Sequence, residues 1–452
     1  MLYTILKTLM KITRSVFFRS ITIRNKELIP SHGPLLVLAN HPSTFMDPIV
    51  IATILDREVF FLAKGELFRG SFAKWLLPKF NMIPVYRKQD DPSQMNKNDD
   101  TFKKCFEHLE KGGAILMFPE GVSITERKLK PIKTGAARIV LGAEARNNFE
   151  LGVQIINIGL NYENPHKFNR HLFININKPL QTKEYKEIYA TDTFKAAELL
   201  SEDIRKQLEK LVIAIEDKKT DELVNDIETL YKYSISKEIG IENEDKSKEF
   251  LITKGIIETV NYYKILQPAR VEAMRNRIKD YFNNLKELGL SDSDLNANEK
   301  SNSFFGSNLK SLLILFLGFP VWLFGAINNF LPFEIPGWIA GKISKEIEYK
   351  GAIGMVGGMF TFSIFYSLQI ITVWKLSHSQ WLTIAYGISL PLSGLFAYWY
   401  WHTVNKIRTK WILMMLFYKK SVFISNLISE REQIIAEFNK AKNEYVESME
   451  KN

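Results

Sequence analysis

The chain is almost devoid of cysteine: Cys105 is the single one among 452 residues. That excludes a disulfide framework within the chain and any metal centre built on several thiolates, and it suits a reducing cytoplasm. Cys105 lies in the polar stretch TFKKCFEHLEKGG, where it reads as a half-buried helical residue and not as a nucleophile. Histidines are scarce too, 7 in all, and no ligand cluster stands out, so neither a metal nor a cofactor is expected. A G-x-S-x-G nucleophile elbow is missing. The opening MLYTILKTLMKITRSVFFRS lacks a small-residue cleavage site and is broken by Lys7, Lys11 and Arg14, which argues against a signal peptide. Its apolar residues recur at helical spacing opposite those bases. Residues 1–20 are therefore expected either as an amphipathic helix at an anionic membrane surface or as a helix packed on the protein's own core.

Acids are outnumbered by bases, 50 to 60, leaving a formal net charge of +10. Such a balance suits an anionic partner, whether nucleic acid, anionic lipid or a phosphorylated substrate. Apolar residues concentrate in the C-terminal third, which favours a membrane surface over nucleic acid.

From residue 21 to 180, short β-like runs such as PLLVLAN, VFFLAKG, NMIPVYR, AILMFPEG and VQIINIGLNY alternate with helical ones. This alternation predicts an α/β domain, and in such sheets ligand chemistry collects in the loops after the strands. The polar loops ANHPS, PVYRK and FPEGVS fall there. Residues 181–290 turn to long charged segments of helical period, a helical extension. The stretch 291–308 reads as a polar linker.

Three apolar runs follow, 311–331, 351–374 and 381–401, each near the roughly 20 residues that a helix needs to cross a bilayer. The bases Lys406, Arg408, Lys410, Lys419 and Lys420 then place the tail in the cytoplasm by the positive-inside rule. A cytoplasmic catalytic domain requires an even number of crossings. The first run, with Pro320, Asn328 and Asn329, is accordingly expected as a re-entrant or interfacial segment of the membrane region 309–420. Residues 421–452 read as a charged, solvated cytoplasmic helix.

The sharpest chemical feature is Asn40-His41-Pro42-Ser43-Thr44-Phe45-Met46-Asp47-Pro48. Six residues apart on a helix, His41 and Asp47 could not share a face, so the chain must change course between them. Pro42 supplies the change: it drives His41 out of helical geometry while suiting a first helical turn itself. His41 is then expected in a loop and Asp47 about a turn inside the next helix, reaching back to the ring. An imidazole oriented by a carboxylate can take a proton from a hydroxyl. Arg87 ends the run NMIPVYR with a guanidinium suited to a phosphate. Pro119-Glu120-Gly121 forms a turn that leaves Glu120 exposed, with Gly121 permitting its tightness. Lys133 and Gly135 precede a helix whose first amides could face an anion.

These four stretches, in this order, resemble the phospholipid and glycerol acyltransferase family, over roughly residues 20–180. The resemblance implies a mixed sheet flanked by helices. It also implies that His41 is the general base, that Asp47 orients it, and that Arg87, Glu120 and Gly121, with Lys133, hold a phosphorylated acceptor. Five residues instead of four separate His41 from Asp47, Asn81 stands where glycine is common, no arginine follows FPEG, and Asn157 replaces a usual proline. These features are similar to the subgroup of fungal glycerol-3-phosphate and dihydroxyacetone-phosphate acyltransferases. The expected reaction moves an acyl group from acyl-CoA or acyl carrier protein to glycerol 3-phosphate or dihydroxyacetone phosphate. The enzyme is then multi-pass, with its catalytic domain on the cytoplasmic face. A 1-acylglycerol-3-phosphate or other lysolipid acceptor, a thioesterase, and a non-catalytic lipid-binding protein are the rival readings.

Overall fold

The computed structural model describes residues 2–87, 92–238, 245–298, 304–343, 346–419 and 421–450. Met1–Ala214 and Pro336–Met359 form one compact unit, and Ile215–Ile335 with Phe360–Asn452 form another.

The first unit runs α1 (Leu2–Phe17), β1 (Ser20–Arg24), β2 (Leu35–Ala39), α2 (Met46–Ile54), β3 (Phe60–Lys64), α3 (Ser71–Leu76), β4 (Met82–Val85), α4 (Asn98–Glu110), β5 (Ala114–Met117), α5 (Gly135–Arg146), β6 (Gln154–Tyr162), β7 (His171–Ile176), α6 (Lys186–Thr191) and α7 (Thr193–Leu211). The strands form one sheet in the order β1-β7-β6-β2-β5-β3-β4. Among the described strand pairs, only β6–β7 is antiparallel, so the sheet is mixed, as expected. Pro84, which cannot donate to a ladder, is accommodated because β4 is an edge strand.

Strand β2 shows why the chain folds this way. All five of its residues are buried, because both faces of a mostly parallel sheet are covered. Leu35, Val37 and Ala39 meet Val50 and Ile51 of α2 and Phe17 of α1. Leu36 and Leu38 meet Leu109 of α4, Ile139 and Val140 of α5, and Leu200 and Ile204 of α7. Helices α6 and α7, within the stretch expected as the start of the extension, thus belong to the sheet domain. Cys105 is wholly buried in this second layer, which pushes its thiol up to about 12.

Helix α1 packs on its own domain through Met10 and Phe17, and two of its bases turn inward as well. Lys7 donates to the Leu55 and Arg57 carbonyls and Arg14 to Thr53. Ile5, Leu9, Ile12 and Val16 point outward, an apolar stripe at helical spacing.

The second unit is helical: α8 (Lys218–Glu238), α9 (Lys246–Leu266), α10 (Pro268–Glu287), α11 (Asp292–Asn298), most of α12 (Phe304–Ile343), the later part of α13 (Glu348–Ser377), α14 (Gln380–Lys419) and α15 (Ser421–Glu450). Two points differ from expectation. Residues 292–298, read as linker, form α11, because Asp292 has a buried partner: Arg431 lies 2.7 Å away and Tyr281 donates to the same carboxylate. Residues 299–303 and Lys420 lie outside the described residues. Helix α15 is not a solvated rod; Ile424, Leu427, Ile434 and Phe438 are buried, Tyr263 of α9 donates to Glu444, and Arg277 of α10 holds Gln433.

Helix α12, which contains the run expected as a re-entrant or interfacial segment, is one unbroken helix. Asn328 and Asn329 in it are satisfied by neighbouring helices. Asn329 donates to the Leu390 carbonyl and accepts from Tyr366, and Asn328 accepts from Tyr386. Leu313–Ile343, Glu348–Ser377 and Gln380–Thr409 are each long and apolar enough to cross a membrane.

Candidate active site

The loops after β2, β4 and β5 lie at the same edge of the parallel part of the sheet, since these strands run in one direction. His41 follows β2, Arg87 follows β4 and Glu120 follows β5. The sequence places the helix start at Pro42; in the structure α2 begins at Met46, so Asp47 stands in its first turn. Pro42 to Phe45 form the intervening loop, where Thr44 has a φ of 30°.

That loop brings His41 Nδ1 to 2.8 Å from Asp47 Oδ2. The carboxylate, with no exposed surface, also accepts the Ser43 N–H at 2.7 Å and the Tyr162 hydroxyl at 2.7 Å. Three donors offset the loss of water around the acid. An acceptor at Nδ1 calls for the tautomer protonated there, which leaves Nε2 as the basic nitrogen. The Tyr162 phenol is pushed well above its ordinary range, by burial first and by Asp47 second, and so stays a donor. Phe118 stacks on the imidazole at 3.9 Å between centroids and fixes the ring plane.

Glu120 is not exposed, as the composition of its turn suggests, but 5% accessible. Its carboxylate accepts the His41 N–H at 3.1 Å and the Lys130 N–H at 2.8 Å. Burial raises its pKa, and these two amides work against that rise. The residue braces the His41 loop against the loop after β5. Gly121 adopts a φ of 69°, a left-handed conformation that favours glycine, and Lys133 Nζ lies 2.8 Å from where its Cβ would be. Arg87 donates to the Gly121 carbonyl. His41, Asp47, Glu120, Gly121, Arg87 and Lys133 therefore form one connected set. Beside Arg87 opens a cavity of about 630 Å³, whose lining among the described residues includes Arg69, Lys74, Lys97 and Lys104 with one acid, Glu66. Among the described residues, no cluster of acids, histidines or thiols could hold a metal ion.

Sequence reasoning missed three supports. Tyr162 ends β6, and only the β6–β2 pairing puts it against Asp47. Asn40 clamps β6 by giving to and taking from Leu160. Ser123 accepts the Thr44 N–H at 2.8 Å. An Asn just before the histidine was a local signal for the second; the first and third depend on strand order.

Residues 20–160 match the Acyltransferase family model. An uncharacterized acyltransferase of Schizosaccharomyces pombe is 23% identical over 61% of this chain and 52% of that protein. Glycerol-3-phosphate O-acyltransferase 1 of Saccharomyces cerevisiae is 30% identical over 31% of this chain and 19% of its own length. A chloroplastic 1-acyl-sn-glycerol-3-phosphate acyltransferase of Arabidopsis thaliana is 30% identical over 26% of this chain and 32% of its own. The chain thus spans about half the length of the first of these relatives and less of the others. The His41–Asp47 pair lies inside the matched stretch, and over residues 20–160 the sheet domain is similar to the acyltransferase family.

Proposed function

We propose that the protein transfers a fatty acyl group from a thioester, acyl-CoA or acyl carrier protein, to a hydroxyl of glycerol 3-phosphate or dihydroxyacetone phosphate. The observation that carries this reading is the 2.8 Å contact of His41 Nδ1 with the fully buried Asp47, linked through Glu120 and Gly121 to the Arg87 guanidinium. His41 Nε2 takes the hydroxyl proton as the acceptor oxygen attacks the thioester carbonyl. The tetrahedral intermediate then expels the sulfur, the C–S bond breaks, and the imidazolium returns its proton to the leaving thiolate. Asp47 stabilises the imidazolium while it exists. Arg87 and Lys133 hold the acceptor phosphate, and that positioning removes part of the bimolecular entropy cost. Hydrolysis of the thioester would leave these cations and their cavity without a task.

The membrane supplies the acyl-chain environment. The apolar stripe of α1, with Leu67, Phe72 and Trp75 exposed on the same unit, suits the headgroup boundary. Phe316, Ile327, Phe360 and Trp381 on the long apolar helices are exposed to whatever surrounds them, as lipid-facing side chains are.

The test offers purified full-length protein acyl-CoA or acyl carrier protein, with glycerol 3-phosphate, dihydroxyacetone phosphate, 1-acylglycerol 3-phosphate or a lyso-aminolipid. A monoacyl product from one of the first two supports the proposal. Diacyl product from the third alone reassigns the acceptor, and free fatty acid at equal rates with and without acceptor makes the protein a hydrolase.

A further inference from the structure

The catalytic loop is tied to a helix far away in the sequence. The main-chain carbonyl of Glu348, at the start of α13, accepts the hydroxyls of Thr44 at 3.2 Å and Ser43 at 3.4 Å. Its carboxylate accepts the Thr125 N–H at 3.3 Å, and the Thr125 hydroxyl in turn holds the Pro42 carbonyl at 3.2 Å. The next turns are seated by packing. Gly351 presses on the Pro165 carbonyl so closely that a Cβ would collide with main chain. Ala352 and Met355 are buried in the same core layer as Met46 and Val50 of α2. Residues 336–359 belong to the sheet domain's compact unit even though they flank and enter apolar helices.

What this helix grips is strained. A β-branched residue at positive φ is a conformational outlier that persists only where surroundings over-determine it. Thr44 is held from both ends, its N–H by Ser123 and its hydroxyl by Glu348. One residue earlier, the Ser43 N–H is aimed at Asp47, so the turn's shape sets one of the three bonds that orient the acid.

We propose that Glu348 is a positioning residue for the acyl transfer, and that the first turns of α13 lock the Ser43–Thr44 turn in the form that aligns Asp47 with His41. The inference rests on the proposed acyl transfer, and it makes turnover depend on the seating of a helix built to enter a membrane. Unseating α13 slows the chemical step and leaves substrate affinity alone, because neither Glu348 nor Gly351 is among the groups assigned to the substrates.

Gly351→Val, Glu348→Ala and Glu348→Gln in the full chain, reconstituted in phospholipid vesicles, test this. Gly351→Val is expected to lower kcat about 10- to 100-fold with KM nearly unchanged. It also speeds hydrogen exchange at the Ser43 and Thr44 amides, while β2 stays protected. Glu348→Ala lowers kcat about 5- to 10-fold, and Glu348→Gln, which keeps an acceptor for the Thr125 N–H, restores it. Wild-type kcat and exchange in a folded Gly351→Val protein overturn the proposal. Should that variant not accumulate, equal kcat for the Ala and Gln variants at 348 overturns it. If the wild type transfers no acyl group, the functional reading falls and exchange at residues 43 and 44 still decides the seating.

Discussion

The sheet domain and the helical unit both bury polar side chains, yet they use them for opposite ends. In the sheet domain Asp47, Glu120 and Tyr162 converge on a single histidine loop. In the helical unit Asp292, Arg431 and Tyr281 join helices to one another. A buried polar network is costly to disrupt in either place. The contrast is that the first should control rate and the second only stability.

Removing the base tests that contrast most severely. His41→Ala should lower acyl transfer by about 10³-fold or more in a protein that stays folded, with a small loss of melting temperature from the donor taken from Asp47; the generic range for such a group is about 10² to 10⁴. A turnover assay on the folded variant checks this, and retained activity would return His41 to a structural role. On the other side, Arg431→Ala strands Asp292 without its ion partner and should cost about 3–5 kcal/mol of stability in the helical unit, read by chemical denaturation. Its kcat per folded molecule should stay at the wild-type value, and a loss of catalysis there would blur the division.

Two smaller effects sharpen it. Arg87→Ala should raise KM for a phosphorylated acceptor about 10- to 100-fold, the worth of a charged hydrogen bond, with little change for the thioester donor. Initial-rate kinetics with both substrates varied would expose an Arg87 that holds the donor instead. The smallest effect is one of pH. Burial lowers the pKa of His108 below its ordinary 6.5, and the Ala114 carbonyl opposes that shift. The unfolded state therefore takes up the proton first as pH falls, so stability declines below about pH 6.5. Melting temperatures across that range should fall less steeply in His108→Gln than in the wild type.

Much of the sheet was legible because β2, β5 and β6 are apolar runs closed by polar loops, and local pattern alone reports that. His41, Asp47, Arg87 and Gly121 were legible for a related reason: each sits next to a proline, a glycine or a strand end. Glu120 was misjudged because a Pro-Glu-Gly turn is polar by composition, whereas its burial comes from the His41 and Lys130 amides closing over it. Tyr162 and Glu348 could not be found locally, since strand order and the return of a distant helix bring them to Asp47 and the loop. In α15, charge hid the stripe Ile424, Leu427, Arg431, Ile434 and Phe438, whose spacing of three and four residues marks a packed face.

The seclusion of Cys105 makes the molecule convenient to interrogate. Its thiol is out of reach of solvent and resists ionisation, so a membrane-impermeant maleimide has nothing to modify in the native chain. A single cysteine introduced at the Lys375–Gln380 hairpin, or near the end of α15, would be the one labelled group. Comparing sealed with detergent-opened vesicles would show whether those two positions lie on the same side of the bilayer.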